Sequence, residues 1–192
     1  MKANNQGKIQ LRKWKTLSKE TLLSANTHLT VENHEILLPD GKIIPDWTWI
    51  ITPNVVIVIA VTEDQNFLCF RQTKYAIEGI TLAPVGGMIE QHEDALSAAQ
   101  RELFEETGYS SEEWVKLGSY VLDPNRGIAT INLFLATNSK QAALPDASQK
   151  DLEDQQLLFL SRDEIQKALF NGEFKAIQWT AAVSLALDYL SK

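Results

Sequence analysis

The sequence has few of the features that mark secreted, membrane or nucleic-acid-binding proteins. Cys69 is the only cysteine among 192 residues, so no disulfide can form within the chain. No run approaches the roughly 18 apolar residues of a membrane span, and the polar start Met1 to Lys13 lacks the apolar core of a signal peptide. Acidic residues outnumber basic ones, 25 to 18, whereas binding to a phosphate backbone normally needs a basic surface. We therefore expect a cytoplasmic protein that binds neither membranes nor nucleic acids.

The composition fits one globular domain with a short appendage. Hydrophobic residues make up 44% and charged residues 22% of the chain, enough for a sizeable core but cramped for two full domains. Residues 1–50 read as a β-rich appendage in which Pro39-Asp40-Gly41 turns one strand back on the next. Residues 51–192 form the main domain, where strands, one helix, more strands and two late helices predict an α/β/α sandwich around a mixed sheet.

Two apolar segments predict neighbouring strands of the main sheet. Val55 to Val61 is a continuous β-branched run, typical of a strand buried on both faces. Phe67 to Phe70 predicts a second strand, which also makes Cys69 a small buried hydrophobe. Arg71 and Lys74 follow this strand, and a cationic pair just past a strand end suits phosphate recognition. A basic loop with no ligand is the alternative.

The later part of the chain carries clear start and stop signals. We expect strands over 114–122 and 128–136, a polar loop over 139–149 and another strand over 157–160. Ser161 and Glu164 form a capping box that begins a helix, and Asn171-Gly172 ends that helix. A last amphipathic helix is expected over 176–190, with Trp179, Val183, Leu187 and Leu190 on one side.

The stretch from Gly87 to Tyr109 predicts a loop and a helix with two distinct faces. The helix runs from about Asp94 to Glu106, and Gly108 is the stop signal expected just past its end. Leu96, Ala99 and Leu103 form an apolar stripe that is predicted to face a core. Glu102, Glu105 and Glu106 form a separate acidic face. Like charges one turn apart repel, and a bound Mg²⁺ would offset that repulsion. A charged, solvated helix face is the alternative.

The spacing of these residues resembles the Nudix box at every fixed position. The pattern begins with Gly87, and five residues separate it from Glu93. Seven residues further on it continues with Arg101-Glu102-Leu103, then after one residue with Glu105-Glu106, and after one more with Gly108-Tyr109. The resemblance implies an Mg²⁺- or Mn²⁺-dependent hydrolase that cleaves the pyrophosphate bond of a nucleoside diphosphate derivative. It also implies metal ligands from Glu102 and Glu106, with Glu105 and the carbonyl of Gly86, while Glu93 and Arg101 form a structural pair.

Features outside the box resemble the ADP-ribose pyrophosphatase branch of the Nudix family. The segment from Phe70 to Tyr75 is similar to its basic RQ segment, which implies a substrate contact from Arg71. Pro124 lies sixteen residues after Gly108 and resembles a downstream proline associated with ADP-ribose hydrolysis. The acidic cluster 151–154 is similar to a mobile loop whose glutamate completes the metal site or acts as a base. We therefore assign catalytic roles to Glu153 and Glu105, with a solvated charge run as the alternative for 151–154.

Trp47 and Trp49 are two residues apart, so in a strand both indoles point to the same face. They are either packing aromatics or a platform for stacking a purine base, an interaction worth about 1–3 kcal/mol per base. The position of this hairpin in related enzymes favours the platform, and we include both residues among the substrate contacts with Arg71 and Pro124.

The resemblance implies hydrolysis of ADP-ribose to AMP and ribose 5-phosphate. The alternatives are another nucleotide sugar or a dinucleotide, such as GDP-mannose, NADH or a diadenosine polyphosphate. A Nudix module that senses a nucleotide sugar without cleaving it is a further alternative, but such modules would be expected to lose box carboxylates. A β-hairpin appendage too small for its own core must pack somewhere, and we expect a homodimer in which it packs on the partner subunit.

Overall fold

The computed structural model describes residues 11–144 and 154–192, which divide into two compact units. The described part of the first unit comprises residues 11–52 together with 124–128. The second comprises residues 53–123, 129–144 and 154–192. The short segment 124–128 therefore groups with the N-terminal strands, although it connects two strands of the second unit.

The first unit is a three-stranded antiparallel sheet. Its strands, in the order β1-β2-β3, are β1 (Lys15–Ala25), β2 (Leu29–Leu37) and β3 (Ile43–Ile51). The expected turn between β2 and β3 is present, and Gly41 adopts φ 93°, a torsion that glycine accepts without steric cost. The amide of Gly41 donates a hydrogen bond of 3.0 Å to the carbonyl of Leu38. Strand β1 has no clear apolar alternation and did not stand out in the sequence.

The second unit contains an eight-stranded sheet and three helices. Its strands are β4 (Val55–Thr62), β5 (Phe67–Lys74), β6 (Ile77–Ala83), β7 (Val85–Met88), β8 (Tyr109–Ser110), β9 (Glu113–Val121), β10 (Thr130–Gln141) and β11 (Gln155–Leu160). Its helices are α1 (Ala95–Thr107), α2 (Arg162–Phe170) and α3 (Ile177–Tyr189). The sheet follows the order β11-β5-β4-β10-β8, and β6, β7 and β9 pair with β5, β4 and β10. The sheet is mixed because β4 and β10 are parallel, whereas β4 pairs antiparallel with β5 and β7.

Helices cover both faces of this sheet, which confirms the expected α/β/α sandwich. Strand β4 is buried along nearly its whole length, and its alternate side chains point to opposite faces. One set packs with α1 and consists of Val56, Val58 and Ala60. The other packs with α2 and α3 and consists of Ile57, Ile59 and Val61. The continuous β-branched run was therefore a sound signal for a central strand.

Cys69 lies in the core beside α2 and α3, as expected for a small buried hydrophobe. Its side chain is 1% exposed, and burial raises the pKa of the thiol to about 12. Within the described residues, no helix has the length and apolar character needed to cross a membrane.

Three local predictions need correction. Arg71 lies inside β5 rather than past its end, because pairing with β6 and β11 extends the strand to Lys74. Residues 139–141 belong to β10 rather than to a loop, because the strand continues beyond a register shift and pairs with β8. Leu96 is 38% exposed, whereas Ala99 and Leu103 of the same stripe are fully buried. The first turn of α1 packs into the core through Ala95 and Ala98, so Leu96 lies beside the buried face and not on it.

The predicted helix signals at the C-terminal end are confirmed. Ser161 and Glu164 make the reciprocal bonds of a capping box at the start of α2. Asn171 caps the end of α2, and Gly172 follows with φ 71°. In α3, Val183 is buried and its expected neighbours on the helix face, Trp179, Leu187 and Leu190, pack against the same core.

Candidate active site

Helix α1 is fixed at both ends by its own sequence. The carboxylate of Asp94 accepts hydrogen bonds from the amides of Leu96 at 2.9 Å and Ser97 at 3.1 Å, satisfying two free donors of the first turn. A hydrogen bond from the hydroxyl of Ser97, with these amides, lowers the pKa of Asp94. At the other end Gly108 adopts φ 73°, and its amide bonds the carbonyl of Phe104 at 2.8 Å. The helix therefore presents its acidic residues from a defined position.

Arg101 is the centre of a hydrogen-bond network on the acidic side of α1. Its Nε and Nη2 donate to the two carboxylate oxygens of Glu93, each at 3.0 Å, and Nη2 also reaches the carbonyl of Met88 at 3.0 Å. Its Nη1 donates to Glu102 at 2.9 Å and to Glu105 at 3.1 Å. The hydrogen bonds from Arg101, followed by that from the amide of Glu90, lower the pKa of Glu93. The expected pair of Glu93 and Arg101 is present, and it joins the loop to the helix.

Glu102 and Glu106 both contact the glycine strand β7. A Cβ atom on Gly87 would lie 2.1 Å from Oε1 of Glu102, so this carboxylate occupies the space that a side chain would take. The amide of Gly86 donates to Oε2 of Glu106 at 3.2 Å. The absence of side chains at Gly86 and Gly87 thus allows two carboxylates to approach the backbone.

The donor set matches a hard divalent cation. Within the described residues, no three His, Cys, Asp or Glu side chains are placed to hold a metal ion together. Two carboxylates, Glu102 and Glu106, nevertheless both lie against β7, and Glu102 and Glu105 each accept a hydrogen bond from Arg101. Mg²⁺ is usually held by one or two carboxylates together with substrate phosphates and water, and Mn²⁺ also prefers oxygen ligands. The side chains present therefore fit the expected metal without a third protein carboxylate.

A cavity of about 200 Å³ lies beside Glu106. Its lining includes Gly86 and Gly87 from β7, Gln72 and Lys74 from β5, and Gln178 and Trp179 from α3. Side chains alternate along a strand, so Gln72 and Lys74 share one face, while Arg71, one residue before Gln72, is exposed and does not line the cavity. A substrate contact from Arg71 stays a prediction.

The sequence pointed to Lys74 as a cation and to Gly86, Gly87 and Glu106 as part of the box, but it did not place Gln72, Gln178 or Trp179 at the site. Alternation along β5 was the available signal for Gln72. Gln178 and Trp179 had none, because only the tertiary structure brings the start of α3 to this cavity.

Trp47, Trp49 and Pro124 meet in a second cavity, which lies within the first unit and measures about 400 Å³. The indole Nε1 of Trp47 donates to the carbonyl of Asn125 at 2.9 Å, and the Arg126 guanidinium lies 5.9 Å from the centroid of the Trp47 ring. The two indoles therefore share a face of the sheet, as the spacing predicts, and the segment 124–128 packs against them.

Trp49 makes the contacts of a packing aromatic. Its ring stacks on His34 with centroids 5.3 Å apart, and His34 is 4% exposed with Nε2 2.7 Å from a carboxylate oxygen of Glu32. Gly127 also lies against the indole, since a Cβ there would be 2.0 Å from the ring. These contacts favour packing over base stacking for Trp49, although substrate roles for Trp47, Trp49 and Pro124 stay predictions.

Glu153, the expected base, lies outside the described residues.

Comparison with known proteins gives the family. Residues 51–182 match the family model described as "NUDIX domain". The chain belongs to the NUDIX domain family. This match covers most of the chain and includes the entire box, and it confirms the expected class of enzyme, a Nudix pyrophosphohydrolase. Enzymes of this family generally depend on a divalent metal.

The relatives agree with the ADP-ribose pyrophosphatase branch, and the structural comparison agrees with the α/β/α fold. The chain is 27% identical to the ADP-ribose pyrophosphatase of Bacillus subtilis (strain 168) over 92% of its own length and 91% of the relative. It is 29% identical to the methanol dehydrogenase activator of Bacillus methanolicus over 64% of its length and 65% of that protein. A solved structure described as an ADP compounds hydrolase superposes with a TM-score of 0.77 at 19% identity, over 95% of this chain and 96% of that one. The last match shows the fold alone.

Proposed function

We propose that this Nudix protein hydrolyses ADP-ribose to AMP and ribose 5-phosphate. One observation carries the proposal. Glu102 and Glu106 lie against the Gly86-Gly87 strand, next to a cavity that Lys74 lines. The full-length similarity to an ADP-ribose pyrophosphatase supports this substrate. Pro124, at the spacing associated with ADP-ribose hydrolysis, adds weaker support.

Glu102 and Glu106 would hold Mg²⁺ or Mn²⁺, with Glu105 and the Gly86 carbonyl as further ligands. When bound, the metal neutralises charge on the phosphoryl oxygens and lowers the pKa of a water molecule. We favour Mg²⁺ because its preference for carboxylates, phosphate oxygens and water agrees with the two carboxylates at β7.

The remaining residues position and assist. Arg101 holds the box loop to α1 through Glu93 and keeps Glu102 and Glu105 in place by hydrogen bonds. Lys74 offers a cation to a substrate phosphate within the cavity. Glu153 accepts the proton of the attacking water, with Glu105 as the other candidate for this step. Arg71, Trp47, Trp49 and Pro124 are the other proposed substrate contacts.

A substrate panel tests this function directly. Purified protein is incubated with ADP-ribose, GDP-mannose, NADH or a diadenosine polyphosphate, and a coupled phosphatase releases phosphate only from the monoester products. We expect the highest kcat/KM for ADP-ribose with Mg²⁺ and loss of activity in EDTA. A higher kcat/KM for another member would reassign the substrate. Binding of ADP-ribose without turnover in either metal would instead support the non-catalytic sensing module.

We also propose that the protein is a cytoplasmic homodimer. Strand β1 lies at the edge of its sheet and exposes Leu17, Leu22 and Leu23 by 46%, 58% and 52%. An edge strand with exposed leucines is prone to association, and packing on a partner subunit would cover it. A mass of one chain by light scattering would contradict the dimer, and recovery outside the cytoplasmic fraction of cells would contradict the location.

A further inference from the structure

Two glutamines on neighbouring strands, Gln72 and Gln155, lie opposite each other near the cavity that Glu106 lines. Gln72 of β5 is 6% exposed and its side chain lines the cavity. Gln155 of β11 is its direct partner in the antiparallel pair, so both side chains lie on the same face of the sheet. The amide oxygen Oε1 of Gln155 is buried and has no hydrogen-bond partner in the part of the chain that the structure describes.

A buried amide oxygen without a partner loses its hydration and gains nothing in return. Most buried polar atoms in native proteins are hydrogen-bonded, so such an oxygen needs an explanation. Gln155 does not itself line the cavity, so a ligand there meets the amide of Gln72, its neighbour across the strand pair. That amide can bond hydroxyl groups, because an amide oxygen accepts and an amide nitrogen donates.

Helix α3 adds a second amide and an aromatic ring to the same cavity. Gln178 and Trp179 lie in its first turn and line the cavity together with residues of β4, β5 and β7. The cavity measures about 200 Å³, whereas pockets for drug-sized ligands hold roughly 300–1,000 Å³. This volume suits a single sugar ring better than a complete nucleoside. Lys74 supplies positive charge for an attached phosphate.

We infer that Gln72, Gln178 and Trp179 form the subsite for the sugar-phosphate half of the substrate and set the enzyme's specificity for that half. The inference rests on the proposed function and extends it, because it assigns the non-nucleotide group to the cavity and leaves the nucleoside outside. A site built to bond hydroxyl groups discriminates strongly against groups that lack them, since its amides are then left unpaired.

Calorimetric binding of the two half-products tests the subsite without turnover. Ribose 5-phosphate and AMP are titrated separately into wild-type protein and into Gln178→Ala, in EDTA. Loss of a hydrogen bond to the ligand is expected to weaken ribose 5-phosphate by about tenfold and to leave AMP unchanged. Gln166→Ala, which removes an exposed glutamine from α2, is the matched control and should change neither affinity.

Equal weakening of both ligands, no weakening of either, or no binding of ribose 5-phosphate to the wild type would overturn the inference. Thermal unfolding checks that each variant is folded, and Gln178→Glu provides a second variant whose carboxylate should repel the phosphate and selectively weaken ribose 5-phosphate as well. Wild-type hydrolysis of ADP-ribose with unchanged ribose 5-phosphate affinity in both variants would refute the subsite alone. Absence of ADP-ribose hydrolysis in the wild type would refute the proposed function instead.

Discussion

The guanidinium of Arg101 holds both carboxylate oxygens of Glu93 in a two-pronged hydrogen bond, with Nε–Oε1 and Nη2–Oε2 distances of 3.0 Å each. The same side chain reaches Glu102 and Glu105 through its remaining nitrogen. One arginine therefore ties the loop before α1 to the carboxylates that the proposed mechanism uses. We expect this pair to position the carboxylates, so that its loss lowers activity more than stability.

Arg101→Lys should lower kcat by at least roughly tenfold, because lysine keeps the charge but cannot donate the planar two-pronged bond. Arg101 is partly exposed, so the loss of unfolding free energy should be only about 1–2 kcal/mol. Steady-state kinetics and thermal unfolding measure the two effects. Asp188→Ala breaks the exposed pair with Lys192 and serves as a control that should change neither. Wild-type kcat in Arg101→Lys would remove the positioning role.

Gly87→Ala should reduce activity with little loss of stability. The new Cβ would meet the carboxylate of Glu102, which is the end of a flexible side chain and can move away from β7. Gly86→Ala is the contrasting variant, because its Cβ would lie 2.4 Å from the carbonyl oxygen of Val56, which is backbone. That variant should lose roughly 1–3 kcal/mol of unfolding free energy. Normal activity in folded Gly87→Ala would show that the position of Glu102 is unimportant.

Gly127→Ala should destabilise the protein more than Gly172→Ala does. The two glycines have φ 72° and 71°, so alanine pays the same backbone cost at both positions. A Cβ at Gly172 meets open space, whereas one at Gly127 would strike the ring of Trp49. We expect an additional loss of about 1–3 kcal/mol and a shift in tryptophan emission. Equal stability of the two variants in urea would contradict the packing of Trp49 on Gly127.

Glu153→Gln should slow turnover while leaving metal affinity largely intact. A general base contributes about 10²–10⁴-fold to rate, and glutamine cannot accept the proton. Rates across a range of pH values, together with Mg²⁺ titrations of folded protein, separate the two quantities. The neighbouring change Asp151→Asn controls for loss of charge in the same segment. A rate equal to wild type at every pH would leave Glu105 as the remaining candidate.

Features encoded by neighbouring residues were predictable from the sequence. The box helix, the central strand from Val55 and the capping box at Ser161 each depend on a short pattern, and the structure contains all three. Strand β1 was missed because its residues are nearly all exposed and lack an apolar period. Leu96 was misplaced because the small residues Ala95 and Ala98, and not the leucine, form the buried face of the first turn of α1.

The cavity beside Glu106 could not be assembled from sequence in the same way. Gln72, Gln178 and Trp179 come from β5 and α3, and only sheet pairing and helix packing bring them to the box. The contact between Gly127 and Trp49 is likewise non-local, since the segment 124–128 groups with the N-terminal strands. Local patterns thus indicated the chemistry, whereas the surroundings that select a substrate depend on tertiary structure.

The central claim is metal-assisted cleavage of ADP-ribose by the carboxylates of α1, and comparison of wild type with Glu106→Gln tests it most directly. The products formed from ADP-ribose in Mg²⁺ are separated and counted by chromatography. Wild type should yield AMP and ribose 5-phosphate in equal amounts, while a folded Glu106→Gln should lose roughly a hundredfold or more in kcat. Near wild-type turnover by Glu106→Gln, or intact ADP-ribose after incubation with the wild type, would contradict the account.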